Sequence, residues 1–286
     1  MMSFTHLIYI PMTGVGVNQG FRGQEWFDYR IKIFKEYTLK SLLNQSNKKF
    51  VLWLSFRKEE KQNVSVNRLA AHLYNKGIIF TMTFDGLMYW DDKFNTDFKS
   101  RWENIKRLFR HKSFNLKTFF EMLYNKNRTL EKRLGNSLYA LSNNLPDSDI
   151  IYMTRLDSDD MLHKDAIAEI QLFEPLSQAL TFQNGYVYNK NTDELATWDP
   201  STNPPFLTIL FNSETFFNAK KHLEYYGDFK THEDIPRVFN SERLSNGKYC
   251  VLIHEKHIST SFNHPFRGSI VTDKLEKQTI KDSFGI

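Results

Sequence analysis

The sequence contains one cysteine, Cys250. A single thiol makes no intrachain disulfide, no cysteine zinc site and no iron–sulfur cluster. No stretch approaches 18 consecutive apolar residues, so no transmembrane helix is expected. The apolar run from Leu7 to Pro11 is too short for a signal-peptide core, and no basic segment precedes it. These absences together lead to the expectation of a cytoplasmic protein. Internal repeats and low-complexity tracts are missing too, which excludes solenoid and linker-like chains. What is present is a globular balance. The 286 residues are 41% hydrophobic and 25% charged, too apolar for disorder and long enough to bury a core without covalent staples. The 25 Phe and 13 Tyr point to an aromatic-rich core or ring-lined grooves.

Charge is unevenly spread. Between Arg101 and Arg133 lie ten Lys/Arg and three Asp/Glu, a local +7 in a chain whose net charge is +5. Lys106, Arg107, Arg110 and Lys112 interleave there with Trp102 and Phe109. Such a block suits an anionic acceptor, an anionic membrane surface or nucleic acid, or it is a solvated helix face.

Hydrophobic patterning sets the organisation. Strand-like runs at 6–11, 50–56 and 78–83 alternate with helical spacing at 26–43 and 66–76. That alternation predicts a parallel sheet with right-handed crossovers. Residues 86–128 break the rhythm and read as a basic helical insertion. A helix over 129–143 and a strand over 149–155 resume it. A helix at 163–173 follows, with strands at 179–182 and 206–211 and a hairpin pairing 186–188 with 195–198. A short helix at 233–239 and a buried strand at 250–253 come next. From Asn263 the chain is polar and reads as a flap or tail.

The strongest chemical signal is Asp157-Ser158-Asp159-Asp160, directly after the strand at 149–155. Three carboxylates in four residues repel one another unless something cationic offsets them. The carboxyl ends of strands are where open α/β sheets bind ligands. Oxygen ligands suit Mg²⁺ or Mn²⁺ with phosphate oxygens completing the shell; the plainer alternative is an acidic turn capping the next helix. Removing Asp159 is expected to relieve repulsion and to hold or slightly raise stability. Arg155 and Arg30 are candidates to pair with phosphates, Arg155 being the better placed, or to neutralise the aspartates internally. Gly14, Gly16 and Gly20 miss the spacing of a dinucleotide fingerprint by one and read as a loop near the nucleotide. Thr231-His232-Glu233-Asp234-Ile235-Pro236 places two acids at the start of a short helix, where they serve as a base or as simple helix-start residues.

Tyr152-Met153-Thr154-Arg155-Leu156-Asp157-Ser158-Asp159-Asp160 resembles the D-x-D element of nucleotide-sugar glycosyltransferases of the GT-A fold. It is similar, more closely, to the rhamnosyltransferase family of bacteria and phages, as are Trp26 to Gln45 with Phe50 to Trp53, and Val251 to Thr260. The resemblance covers about two-thirds of the chain. Lys40 replaces a proline of that family, Ser55-Phe56 end a strand that often ends in an acid there, and the 86–128 block has no counterpart. The resemblance implies one GT-A-like domain over 1–286, with a Rossmann-like mixed sheet flanked by helices. Residues 1–160 would bind the nucleotide and carry the insertion; 161–286 would bind the acceptor. It implies metal-dependent, inverting transfer of a sugar, rhamnose included, from a nucleotide-diphosphate donor to a glycan or other acceptor hydroxyl. Asp159 would be the first ligand of Mn²⁺ or Mg²⁺, with Asp157 on the metal or ribose and His254 near the diphosphate and metal; His257 and His264 are alternatives. Asp234 would be the general base, or else Glu233. The competing readings are sugar transfer onto modified phage DNA and a non-catalytic carbohydrate- or nucleic-acid-binding protein of the same fold. Through residues 101–133 the chain is expected to reach DNA or the inner face of a membrane.

Overall fold

A computed structural model describes residues 3–13, 24–87, 130–173, 178–227, 232–255 and 261–286. The glycine loop at 14–20, nearly all of the basic insertion, and His257 lie outside the described residues. Along the chain run β1 (Phe4–Pro11), α1 (Gln24–Ile33), a π-helical turn (Phe34–Thr38), α2 (Leu39–Leu43), β2 (Val51–Ser55), α3 (Val64–Asn75) and β3 (Phe80–Thr83). Next come α4 (Leu130–Ser142), β4 (Ile150–Arg155), β5 (Met161–Leu162), α5 (Ala166–Leu172), β6 (Ala179–Phe182), β7 (Gly185–Asn189), β8 (Glu194–Trp198) and β9 (Leu207–Asn212). The last are α6 (Ser213–Phe217), α7 (Ala219–Tyr226), α8 (Ile235–Val238), β10 (Ser241–Leu244), β11 (Tyr249–Ile253), β12 (Arg267–Ile270) and α9 (Lys274–Ser283). The architecture is mixed α/β, as the alternating pattern predicts. Among the described residues no helix is long and apolar enough to cross a membrane.

Two compact units interleave along the chain. The first comprises 1–28, 50–152 and 211–231. Its strands pair in parallel, β1 with β2 from Leu7↔Val51 to Pro11↔Ser55, and β2 with β3 from Leu52↔Phe80 to Ser55↔Thr83. All five β2 residues are buried, which explains its unbroken apolar run. Helix α3 connects β2 to β3 and buries Val66, Leu69 and Leu73 at helical spacing; Asn63 caps it by accepting from the Ser65 amide at 2.8 Å. Helix α4 buries Leu130, Leu134, Leu138 and Leu141. Two helices unforeseen in the sequence, α6 and α7, close this unit. Asn212 and Asn218 cap them, and Phe211, Phe216, His222 and Tyr226 form their ring cluster.

The second unit comprises 29–49, 153–210 and 232–286. One of its sheets runs β12-β8-β7-β11-β5, with the expected β7–β8 hairpin antiparallel and β7 parallel to β11. Elsewhere β6 lies antiparallel to β9 and parallel to β10. Ile33, Met161, Tyr188, Leu195, Cys250, Leu252 and Phe284 form a core. The segment after Asn263 is not a loose tail. It forms β12, paired with β8, and α9, whose Asp273 accepts from the Glu276 amide at 2.7 Å. Lys277 and Lys281 reach from α9 to Asp193 in the hairpin turn at 2.6 and 2.8 Å, and Phe284 enters the core. The helix from α1 to α2 spans the predicted 26–43 with a π turn inside it, where Thr38 is buried.

Candidate functional site

The acidic turn lies at the carboxyl end of β4, in the second unit. Neighbouring β9 flanks that strand end, where Thr154 and Thr208 share a hydroxyl hydrogen bond of 2.6 Å. The turn closes on itself as the Asp160 amide donates to the Asp157 carbonyl at 3.1 Å. Strand β5 follows at once and is held by α2: Ser41 Oγ accepts from the Leu162 amide at 3.2 Å, and Gln45 Nε2 donates to the carbonyls of Leu162 and His163.

The three acids then take separate fates. Asp159 is buried and faces Arg30, itself buried on α1. The guanidinium grips it as a fork, Nη1 to Oδ2 at 3.0 Å and Nη2 to Oδ1 at 3.1 Å, while Nε donates to Ser158 Oγ at 2.7 Å. His254, buried just past β11, places Nε2 3.2 Å from Asp159 Oδ2, so this nitrogen carries the proton toward the carboxylate. Asp160 accepts from the Leu252 amide at 3.2 Å. Burial first, then the charges of Asp159 and Asp157, push Asp160 well above the usual carboxylate range. Asp157 alone keeps appreciable exposure; its Oδ1 accepts from Arg155 Nη2 at 3.0 Å. Mutual repulsion is thus relieved by two arginines and by a carboxyl group that favours its neutral form.

This arrangement bears on the metal expected from the sequence. Both Asp159 oxygens accept from Arg30, one of them also faces His254, and Asp157 is engaged by Arg155. Among the described residues no group of three or more His, Cys, Asp or Glu side chains is placed to hold a metal ion. As placed, Asp157, Asp159 and His254 therefore do not fit a Mn²⁺ or Mg²⁺ site, because a guanidinium occupies the carboxylate that would be first ligand. The expectation that removing Asp159 would hold or slightly raise stability is revised for a related reason: its loss takes from the buried Arg30 the carboxylate that both of its terminal nitrogens bond. Arg30 is committed to Asp159 and Ser158 in this arrangement.

The 3₁₀ turn His232–Asp234 leads into α8. Asp234 Oδ1 accepts from Arg237 Nε at 3.3 Å and Nη2 at 3.1 Å, and Glu233 is exposed. His232 pairs Nδ1 with the Asn203 carbonyl. Its pKa is lowered mainly by burial, and Arg155, Glu233 and Asp157 all act on it electrostatically. The turn thus lies within electrostatic reach of the Arg155–Asp157 pair. His264 packs against Trp198 and Phe266, with ring centroids 5.3 and 4.5 Å away. In the first unit, Glu60 brings a carboxylate to the end of β2, which lacks a terminal acid. It accepts from Thr13 Oγ1 and from the Arg57 amide.

The structure therefore unites Arg30, Asp159 and His254, and sets Arg155 and Asp157 within electrostatic reach of His232. Sequence reasoning missed Ser158, Asp160 and His232 as members of this group; their position inside quoted motifs was the available signal.

No protein-family model and no curated protein matches this chain. Among solved structures it is similar to the crystal structure of S. aureus TarS 1-349, with a TM-score of 0.41 and 13% identity over 87% of this chain and 60% of that one. It is also similar to S. aureus TarS 1-349 in complex with UDP, with a TM-score of 0.37 and 13% identity over 88% and 61% of the two chains. The chain spans about 60% of the length of these structures. At so distant a similarity, the functional reading rests on the chain's own residues.

Proposed function

We propose that the chain is a glycosyltransferase that moves a sugar from a nucleoside-diphosphate donor to an acceptor hydroxyl with inversion. The observation that carries this reading is the acidic turn at the carboxyl end of β4, pinned at Asp159 by Arg30 and His254 and presenting the Asp157–Arg155 pair, of which Asp157 is partly exposed. A turn so fixed is preorganised. Arg155 supplies a cation for the diphosphate, whose charge rises as it leaves, and Asp157 accepts from donor hydroxyls. Arg30 and His254 are positioning residues in this reading. The acceptor oxygen attacks the anomeric carbon as the bond to the diphosphate breaks, and a base takes the acceptor's proton. The sequence resemblance nominates Asp234 or Glu233 for that role and rhamnose for the sugar.

Release of nucleoside diphosphate from a panel of nucleotide sugars, one carrying rhamnose, tests the proposal. Arg155→Ala is expected to lower release by roughly 10²-fold, in line with the loss of one preorganised electrostatic group. A protein that binds sugars without transferring them releases none with any donor, and that result would remove the enzyme reading.

A further inference from the structure

The reaction proposed above needs a proton acceptor, and the pair of acids nominated for it is poorly disposed. Asp234 is engaged by the Arg237 guanidinium, whose Nε and Nη2 both donate to its Oδ1. Glu233 is exposed to solvent. The residue immediately before them is arranged differently.

His232 is partly buried and anchored at one nitrogen only. Its Nδ1 bonds to the backbone carbonyl of Asn203, in the loop that leads into β9. A carbonyl oxygen only accepts, so Nδ1 carries the proton and Nε2 is left with its lone pair. No hydrogen-bond partner for Nε2 occurs among the described residues. The Asn203 loop is itself fixed from the end of β6, where Gln183 Nε2 donates to the carbonyls of Pro200 at 2.7 Å and Thr202 at 3.2 Å. Asn203 is buried, and its side-chain amide nitrogen has no partner among the described residues, an open donor next to the anchoring carbonyl. The groups that act electrostatically on His232 are Arg155, Glu233 and Asp157, the first and last being the pair at the β4 end.

We propose that His232 is the catalytic base of this site, taking the acceptor's hydroxyl proton on Nε2. The inference rests on the transferase reading. In the step, the acceptor O–H gives its proton to Nε2 while its oxygen forms the new bond to the anomeric carbon. The bond from that carbon to the diphosphate oxygen breaks, and its electron pair leaves with the nucleoside diphosphate beside Arg155. The imidazolium then returns its proton to water. Burial, the largest influence on His232, and Arg155 keep the ring neutral and able to accept, against the opposing pull of the Asn203 bond, Glu233 and Asp157.

The test compares His232→Gln, His232→Gly and Asp234→Asn, using nucleoside-diphosphate release from the nucleotide-sugar panel with water or added monosaccharides as acceptor. His232→Gln is expected to lower turnover about 10² to 10⁴-fold while nucleoside-diphosphate affinity by calorimetry is unchanged. The acid limb of the wild-type rate profile is expected to vanish in that variant and to persist in Asp234→Asn. Added imidazole should restore part of the turnover of His232→Gly, a rescue that a purely structural role would not permit. Wild-type turnover in a folded His232→Gln protein overturns the inference and leaves the transferase reading intact. So does a nitrogen-15 spectrum that puts the neutral-pH proton of His232 on Nε2. A wild-type protein that turns over no donor overturns both.

Discussion

Replacing Asp159 with alanine removes the acceptor that both terminal nitrogens of the buried Arg30 share. The guanidinium keeps its Nε bond to Ser158, a neutral partner, while its charge loses the carboxylate at 3.0 and 3.1 Å. Breaking a buried ion pair from one side costs about 3–5 kcal/mol, because an uncompensated charge stays out of water. The opposing gain is relief of repulsion within the turn. Two ionised carboxylates about 7 Å apart repel by roughly 2 kcal/mol at an effective dielectric constant of 20. Asp160 is less affected, since burial and the neighbouring carboxylates push its pKa upward. The net expectation is a loss of about 3 kcal/mol. Arg30→Met should cost less, because Asp159 retains the His254 nitrogen at 3.2 Å. The double variant Arg30→Met/Asp159→Leu should recover most of the loss, since a buried pair exchanged for apolar groups is often neutral or better. Urea denaturation of the four proteins, followed by tryptophan fluorescence and circular dichroism, ranks their stabilities. An Asp159→Ala protein within about 1 kcal/mol of wild type would refute the reasoning and return Asp159 to the role of an open ligand.

Two further outcomes follow from the same kind of argument. His6 and His222 are buried in the first unit, and burial lowers their pKa values to about 3 and about 4 from an ordinary 6.5. The folded state refuses protons that the unfolded chain accepts below pH 6.5, so stability is full above that pH and falls as the pH drops, by roughly 2 kcal/mol per histidine at pH 5; melting temperatures that stay level from pH 8 to 5 would contradict this. A Cβ on Gly268 would meet Thr197 Oγ1 at 2.2 Å and Asp199 Oδ2 at 2.4 Å. Gly268→Ala is therefore expected to cost about 1–3 kcal/mol and to speed hydrogen exchange in β12 before β7, and unchanged β12 protection would show that the strand can shift.

The elements legible in the sequence are those whose burial is locally repetitive. Strand β2, buried at all five positions, reads as an apolar run, and α3 shows its face at Val66, Leu69 and Leu73. The elements that escaped make little use of periodicity. Helix α9 has no fully buried residue, and its segment is held by Lys277, Lys281 and Phe284; its local signal is the cap in which Asp273 accepts from the Glu276 amide. Strands β5 and β10 are two and four residues long, too short for alternation to register. At the site, the acidic turn and its place after a buried strand were readable because they are contiguous. Arg30 lies 129 residues from Asp159, and no local spacing reveals that their partnership is internal. The same distance effect hid His232, whose meaning depends on a carbonyl 29 residues earlier.

The π turn at Phe34–Thr38 has a consequence for how this chain tolerates changes of length. A turn closed from i to i+5 holds one residue more than an α-helical turn, so it acts as a one-residue insertion absorbed within a continuous helix. Deleting a residue of α3 between Leu69 and Leu73 would swing everything beyond it by about 100° and turn Leu73 off the buried face it shares with Val66 and Leu69. Deleting Thr38 would instead let the helix close as regular α, with Arg30 on one side and Leu39 to Leu43 on the other keeping their present faces. Thr38 also has a buried hydroxyl with no hydrogen-bond partner among the described residues, so its removal takes away a desolvated polar group as well. At this point in the chain a shortened protein should fold as readily as the full one, and a homologue one residue shorter here would keep its arginine opposite the acidic turn.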